Sequence, residues 1–131
     1  FKGMEVRFED FEVNDEGRPY NTRHRAFYFS REVVEFVKKS RYEKVFYSMF
    51  DQLVRIATSV GANLAEGKAG STRKDWKNYF LIALKSANET KYWLCLIRDT
   101  MDETDKKKII ELINEADEIS NIIASIIVKA G

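Results

Sequence analysis

The sequence is poor in the residues that most often build catalytic centres or stapled folds. Its 131 residues include one cysteine (Cys95), one histidine (His24) and one proline (Pro19). A lone cysteine excludes an internal disulfide, so folding does not depend on an oxidising compartment. One proline and six glycines are too few for a disordered chain or a turn-rich β protein. No apolar run approaches the roughly 18 residues that cross a bilayer, and no signal-peptide pattern opens the chain. The expectation is a cytoplasmic protein with no membrane role. An excess of either charge is also missing: 22 Lys+Arg face 21 Asp+Glu, a net charge of +1. That balance excludes a highly basic nucleic-acid coat and an acidic tail protein. What remains is 44% apolar and 33% charged, enough to fill the core of one soluble domain.

The charge is unevenly spread. Residues 1–30 carry a net −1, residues 31–100 a net +5 and residues 101–131 a net −3. An anionic partner is therefore expected to meet the middle of the chain.

Residues 1–25 differ from the rest. Gly3, Gly17, Pro19 and the Asn14-Asp15-Glu16-Gly17 turn signal read as an extended N-terminal arm. Its aromatics Phe1, Phe8, Phe11 and Tyr20 are suited to packing on the chain itself or on a neighbouring subunit. From residue 26 the pattern is helical. Phe27, Phe29, Val33, Val34, Phe36 and Val37 mark a first helix over 26–40. Phe46, Phe50, Leu53, Ala57, Val60 and Leu64 alternate spacings of four and three, a heptad-like seam for a second helix over 44–66. Gly67 to Gly70 are expected to stop it. Ser71 or Thr72 caps a third helix to residue 100, with its seam at Trp76, Phe80, Ala83, Ala87, Thr90, Leu94, Ile97 and Met101. A second apolar row, Tyr79, Ile82, Trp93 and Leu96, lies beside that seam. Thr104 is expected to cap the fourth helix, whose seam is Leu112, Ala116, Ile119, Ile123 and Ile126. Ile109, Ile110, Ile122 and Ile127 fall outside that row and suggest a further covered face. The fold class is all-α: an antiparallel up-down-up-down four-helix bundle over 26–131 behind the arm.

Catalytic patterns are missing. His24 is read as an ordinary arm histidine and Cys95 as a buried structural thiol. No Glu-x-x-His pair exists for a di-metal centre, and Gly61 to Ala69 departs from the phosphate loop in spacing and context. No cofactor or metal is expected. Asn63, Glu66, Ser86 and Glu89 lie near the seams and are expected to tie the second helix to the third. A paired Glu66 and Glu89 is too common a feature to signal acid–base catalysis. The best binding feature is on the third helix. At 100° per residue, Arg73, Lys74, Lys77, Lys85, Lys91 and Arg98 fall on one arc, and Lys68 adds charge before it. Such an arc is either a solvated face or a surface for nucleic acid.

Gln52-Leu53-Val54-Arg55 leading into Asn63-Leu64-Ala65-Glu66-Gly67, then Ser71-Thr72-Arg73-Lys74-Asp75-Trp76 and Ile82-Ala83-Leu84-Lys85-Ser86-Ala87-Asn88-Glu89, form a recognisable pattern. It resembles the four-helix-bundle proteins of 23S ribosomal RNA intervening sequences, and the related accessory proteins of diversity-generating retroelements. Val54, Gly61 and Lys85 depart from that family pattern. The resemblance implies a homopentamer without enzymatic activity. It also implies contact with RNA or DNA, or with a reverse transcriptase or other RNA-handling protein, through a basic surface. The small number of basic residues makes weak nucleic-acid binding the expectation. The alternative is a protein-interaction module with no nucleic-acid role.

Overall fold

The structure is a computed structural model that describes residues 21–69 and 72–130. Four α-helices carry the chain: α1 (Thr22–Lys39), α2 (Tyr47–Ala69), α3 (Arg73–Thr100) and α4 (Lys106–Lys129), with a 3₁₀ turn at Lys44–Phe46 before α2. There is no strand among the described residues. Of the expected arm, residues 1–25, residues 1–20 lie outside the described residues, while Asn21 to Arg25 form the cap and first turn of α1.

Three of the four helix starts have a side-chain reason. Asn21 Oδ1 accepts from the His24 amide at 3.1 Å, so α1 begins at Thr22 rather than at residue 26. Thr72 Oγ1 accepts from the Asp75 amide at 3.0 Å and starts α3. Asp105, not Thr104, caps α4 by accepting from the Lys108 amide at 3.0 Å. Thr104 is instead buried, its hydroxyl donating to the Met101 carbonyl at 2.8 Å. The carboxylate is the better cap because its charge also meets the positive end of the helix dipole.

The seams pack as spaced. Buried positions run Ala26, Phe29, Val33, Phe36 on α1; Phe50, Leu53, Ala57, Val60, Leu64 on α2; and Phe80, Ala83, Ala87, Thr90, Leu94, Ile97 on α3. On α4 the buried row is Ile109, Leu112, Ala116, Ile119, Ile123. Ile109 thus heads the seam, one step of three before Leu112, and is not part of an outer face. Phe46 leaves its seam: it sits in the 3₁₀ turn and is exposed. Each large side chain fully buried here contributes about 1.5–3 kcal/mol of transfer free energy.

Each helix packs on two neighbours in the ring order α1, α2, α3, α4. Cross-links show every neighbouring pair to be antiparallel: Gly61 of α2 stands against Ala26 of α1, Gln52 of α2 reaches Glu89 of α3, and Arg73 of α3 reaches Ala130 at the end of α4. Ser30 on α1 reaches the Ala57 carbonyl on α2 at 3.4 Å, and Ser59 pairs with Ser86 of α3 at 2.9 Å. Lys91 on α3 meets Asp117 of α4 at 3.0 Å. Arg25 and Glu32 of α1 bind Glu115 and Lys108 of α4. Later residues of one helix pair with earlier residues of the next.

Gly67 does not stop α2; the helix runs on to Ala69. A Cβ at Gly67 would sit 2.8 Å from Phe80 Cδ1 and 3.1 Å from Tyr79 Cβ. The glycine is there for close approach of α2 to α3. His24 is likewise not an arm residue but a buried one in the first turn of α1.

Candidate nucleic-acid interface

α3 buries the face through Phe80, Ala83, Ala87 and Leu94, so the residues opposite face outward. At 100° per residue, Lys74, Lys77, Leu81, Lys85, Asn88 and Tyr92 share this outward strip. All are exposed. Lys74, Lys77 and Lys85 make no ion pair with any described residue.

The other basic residues of the arc are spent inside the molecule. Lys91 is half-buried and binds Asp117 at 3.0 Å and the Ser120 hydroxyl at 3.2 Å. Arg98 pairs with its neighbour Asp99 at 2.8 Å, which raises the arginine above its ordinary value and holds the Asp99 carboxyl below its own. Arg73 donates to the Ala130 carbonyl at the end of α4. Lys68 is half-buried near the end of α2. Of the seven basic residues expected to form the surface, the structure brings Lys74, Lys77 and Lys85 together on the outer face. It turns Arg73 and Lys91 toward α4.

The four polar residues also divide. Asn63 stays within its own helix, donating to the Ser59 carbonyl at 2.8 Å and hydroxyl at 2.9 Å. Glu66 is exposed. The expected ties from these two to α3 are made instead by Ser59, which bonds buried Ser86, and by Gln52, which reaches Glu89 at 3.5 Å. The same Glu89 oxygen accepts from the Trp93 indole N–H at 3.1 Å. Cys95 is half-buried rather than enclosed.

Tyr92 is the functional candidate that sequence reasoning missed. It is 61% exposed, and its ring meets Trp93 edge-on, 5.3 Å between centroids at 83°. The available signal was spacing: Tyr92 lies about five whole turns beyond Lys74 and about two beyond Lys85.

Nothing in this region resembles an enclosed reaction site. A cleft of about 960 Å³ lies at the α1–α2 connection, lined by Lys38, Arg41, Tyr42, Tyr47 and Asp51 among others, none of them from the α3 strip. Among the described residues no three His, Cys, Asp or Glu side chains stand close enough to hold a metal ion. None of the helices is long and apolar enough to cross a membrane.

A closed ring of four antiparallel helices is the class that the fold defines: an all-α four-helix bundle. The family model described as 23S rRNA-intervening sequence protein matches residues 20–125, and the chain belongs to that family. A crystal structure from Bacteroides thetaiotaomicron, of a protein of unknown function from the S23 ribosomal protein family, superposes with a TM-score of 0.75. It is 33% identical, and the match covers 82% of this chain and 98% of that one. No curated protein matches the chain.

Proposed function

We propose that the chain is a non-enzymatic, homo-oligomeric binding module of the cytoplasm that contacts RNA or DNA through the outer face of α3. The observation that carries this reading is the division of the basic arc: Lys74, Lys77 and Lys85 are exposed and free of described ion pairs, whereas Lys91 and Arg98 are neutralised locally. Exposed, aligned lysines without an internal partner suit phosphate.

Three lysines make a weak site, and repetition around a homopentamer would raise its effective affinity without new contacts. Support for assembly comes from the exposed apolar Ile82 and Ile110, which lie off the lysine strip. The alternative is a protein-interaction module, docking onto a reverse transcriptase or another RNA-handling protein, and the same apolar residues favour it.

Fluorescence anisotropy with structured RNA and duplex DNA at about 50 mM salt separates the two. Each phosphate neutralised contributes about −0.9 to the slope of log affinity against log salt on duplex DNA, and about −0.7 on single strands. Joint charge reversal, Lys77→Glu with Lys85→Glu, is expected to abolish binding while light scattering reports an unchanged particle. Wild-type protein that binds neither probe hands the face to the protein-interaction reading.

A further inference from the structure

The outer strip of α3 holds an aromatic residue as well as lysines. Tyr92 is 61% exposed, although a ring of that size would gain by burial. Single exposed aromatics are ordinary; this one is aligned and braced. It lies on the azimuth of Lys74 and about 10 Å beyond Lys85 along the axis, with Asn88 between them.

The bracing runs across two helices. Gln52 of α2 donates to Glu89 Oε2 at 3.5 Å, and the Trp93 indole N–H donates to the same oxygen at 3.1 Å. Trp93, half-buried against the core, then presents its ring at 83° to Tyr92. One side of Tyr92 is supported in this way, while most of its surface stays open to solvent. Such a ring is a platform for stacking rather than a core residue that failed to bury.

We infer that Tyr92 stacks an unpaired base, so the outer face of α3 takes single-stranded nucleic acid, its phosphates on Lys74, Lys77 and Lys85. Charge selects a polyanion but does not tell a single strand from a duplex. The aromatic platform does. Bases in a duplex are already stacked on one another and keep their faces inside, whereas a free strand can lay a base on an aromatic ring.

This inference rests on the nucleic-acid reading above, and the experiment separates the two. The probe is a labelled oligoadenylate, offered free or paired with oligouridylate, at about 50 mM salt. Wild-type protein is expected to prefer the free strand. Tyr92→Ala should lose about tenfold or more of that affinity and leave duplex binding unchanged, while Tyr92→Phe, which keeps the ring, should bind as wild type. Both changes lie at an exposed position, and a melting curve confirms that each variant folds. Equal free-strand affinity in wild type and Tyr92→Ala, with binding still lost on reversal of Lys77 and Lys85, overturns the stacking platform and leaves the basic face standing. Absence of any wild-type binding overturns both.

Discussion

The α2–α3 seam and the α1–α4 seam are closed by different chemistry. α2 and α3 follow each other in the chain and approach closely through small groups: Gly67 under Phe80, and the hydroxyls of Ser59 and Ser86 at 2.9 Å. α1 and α4 lie far apart in sequence and meet along their edge through long charged side chains. Arg25 reaches Glu115 at 2.6 Å and Glu118 at 3.3 Å, and Lys108 binds Glu32. Close packing is short-ranged and intolerant of added volume. Charged pairs reach further, fix register and titrate. The fold therefore places its steric precision between neighbours in sequence and its pH sensitivity where the ring closes.

The largest effect is expected from added volume at the tight seam. Gly67→Ala forces a Cβ to within 2.8 Å of the Phe80 ring and 3.1 Å of Tyr79 Cβ. Overpacking of this kind costs about 1–3 kcal/mol, offset by up to about 1 kcal/mol of helix propensity. A net loss of up to about 2 kcal/mol should appear as a lower urea midpoint. Gly61, on the α1 side of the same helix, is the control. Its Cβ would stand 3.4 Å from Ala26, ordinary contact, so Gly61→Ala should be neutral or mildly stabilising. Equal losses at both sites would refute the assignment of tight packing to the α2–α3 side.

A smaller and asymmetric effect is expected from the hydroxyl pair. Ser86 is buried, whereas Ser59 also accepts from Asn63 at 2.9 Å. Ser59→Ala leaves a buried hydroxyl without its partner and should cost about 1 kcal/mol. Ser86→Ala leaves Ser59 still bonded to Asn63 and should cost less. The double variant should be closer to wild type than the sum of the singles, and a double-mutant cycle by urea denaturation measures that coupling. Strict additivity would mean that the pair is incidental.

Much of this architecture was legible in the chain, for a physical reason. A seam of alternating threes and fours is a property of one helix, so Leu53, Ala57, Leu64, Leu94, Ile119 and Ile123 could be assigned to the core from spacing alone. What failed depended on a second helix. Gly67 looked like a stop because its role is set by Phe80 across the interface. Ile109 looked like an outer residue because the counted seam began one step late. Spacing gives the azimuth of the basic arc on α3, but Lys91 lies toward the edge of the arc where α4 supplies Asp117. Periodicity gives azimuth; it does not say what stands opposite. Glu66 was expected to bridge helices and is exposed, while Gln52, within the same recognised motif, takes that part.

The smallest effect at neutral pH belongs to the α1–α4 edge, and it is distinguished by its pH dependence. The hydrogen bond to Glu32 raises the Lys108 ammonium above its ordinary value, outweighing the partial burial that lowers it, and Glu111 at 3.9 Å adds to the rise. A group whose proton is held more tightly in the folded state stabilises fully below its unfolded value, about 10.4 for lysine. That contribution is lost as pH climbs through the higher folded value. A partly exposed pair is worth about 0–1 kcal/mol, so Glu32→Gln should lower the urea midpoint only slightly at pH near 8. The gap between wild type and Glu32→Gln should then narrow as pH rises beyond about 10.4. Tyr42, whose phenol is raised by burial and by neighbouring Tyr47, is present in both proteins and cancels in the comparison. The gap between wild type and Ser59→Ala, measured in the same series, should stay constant, because no hydroxyl of that pair ionises. A Glu32→Gln gap equally constant with pH would show that Lys108 does not close the ring through its charge, and the contrast between the two seams would reduce to packing alone.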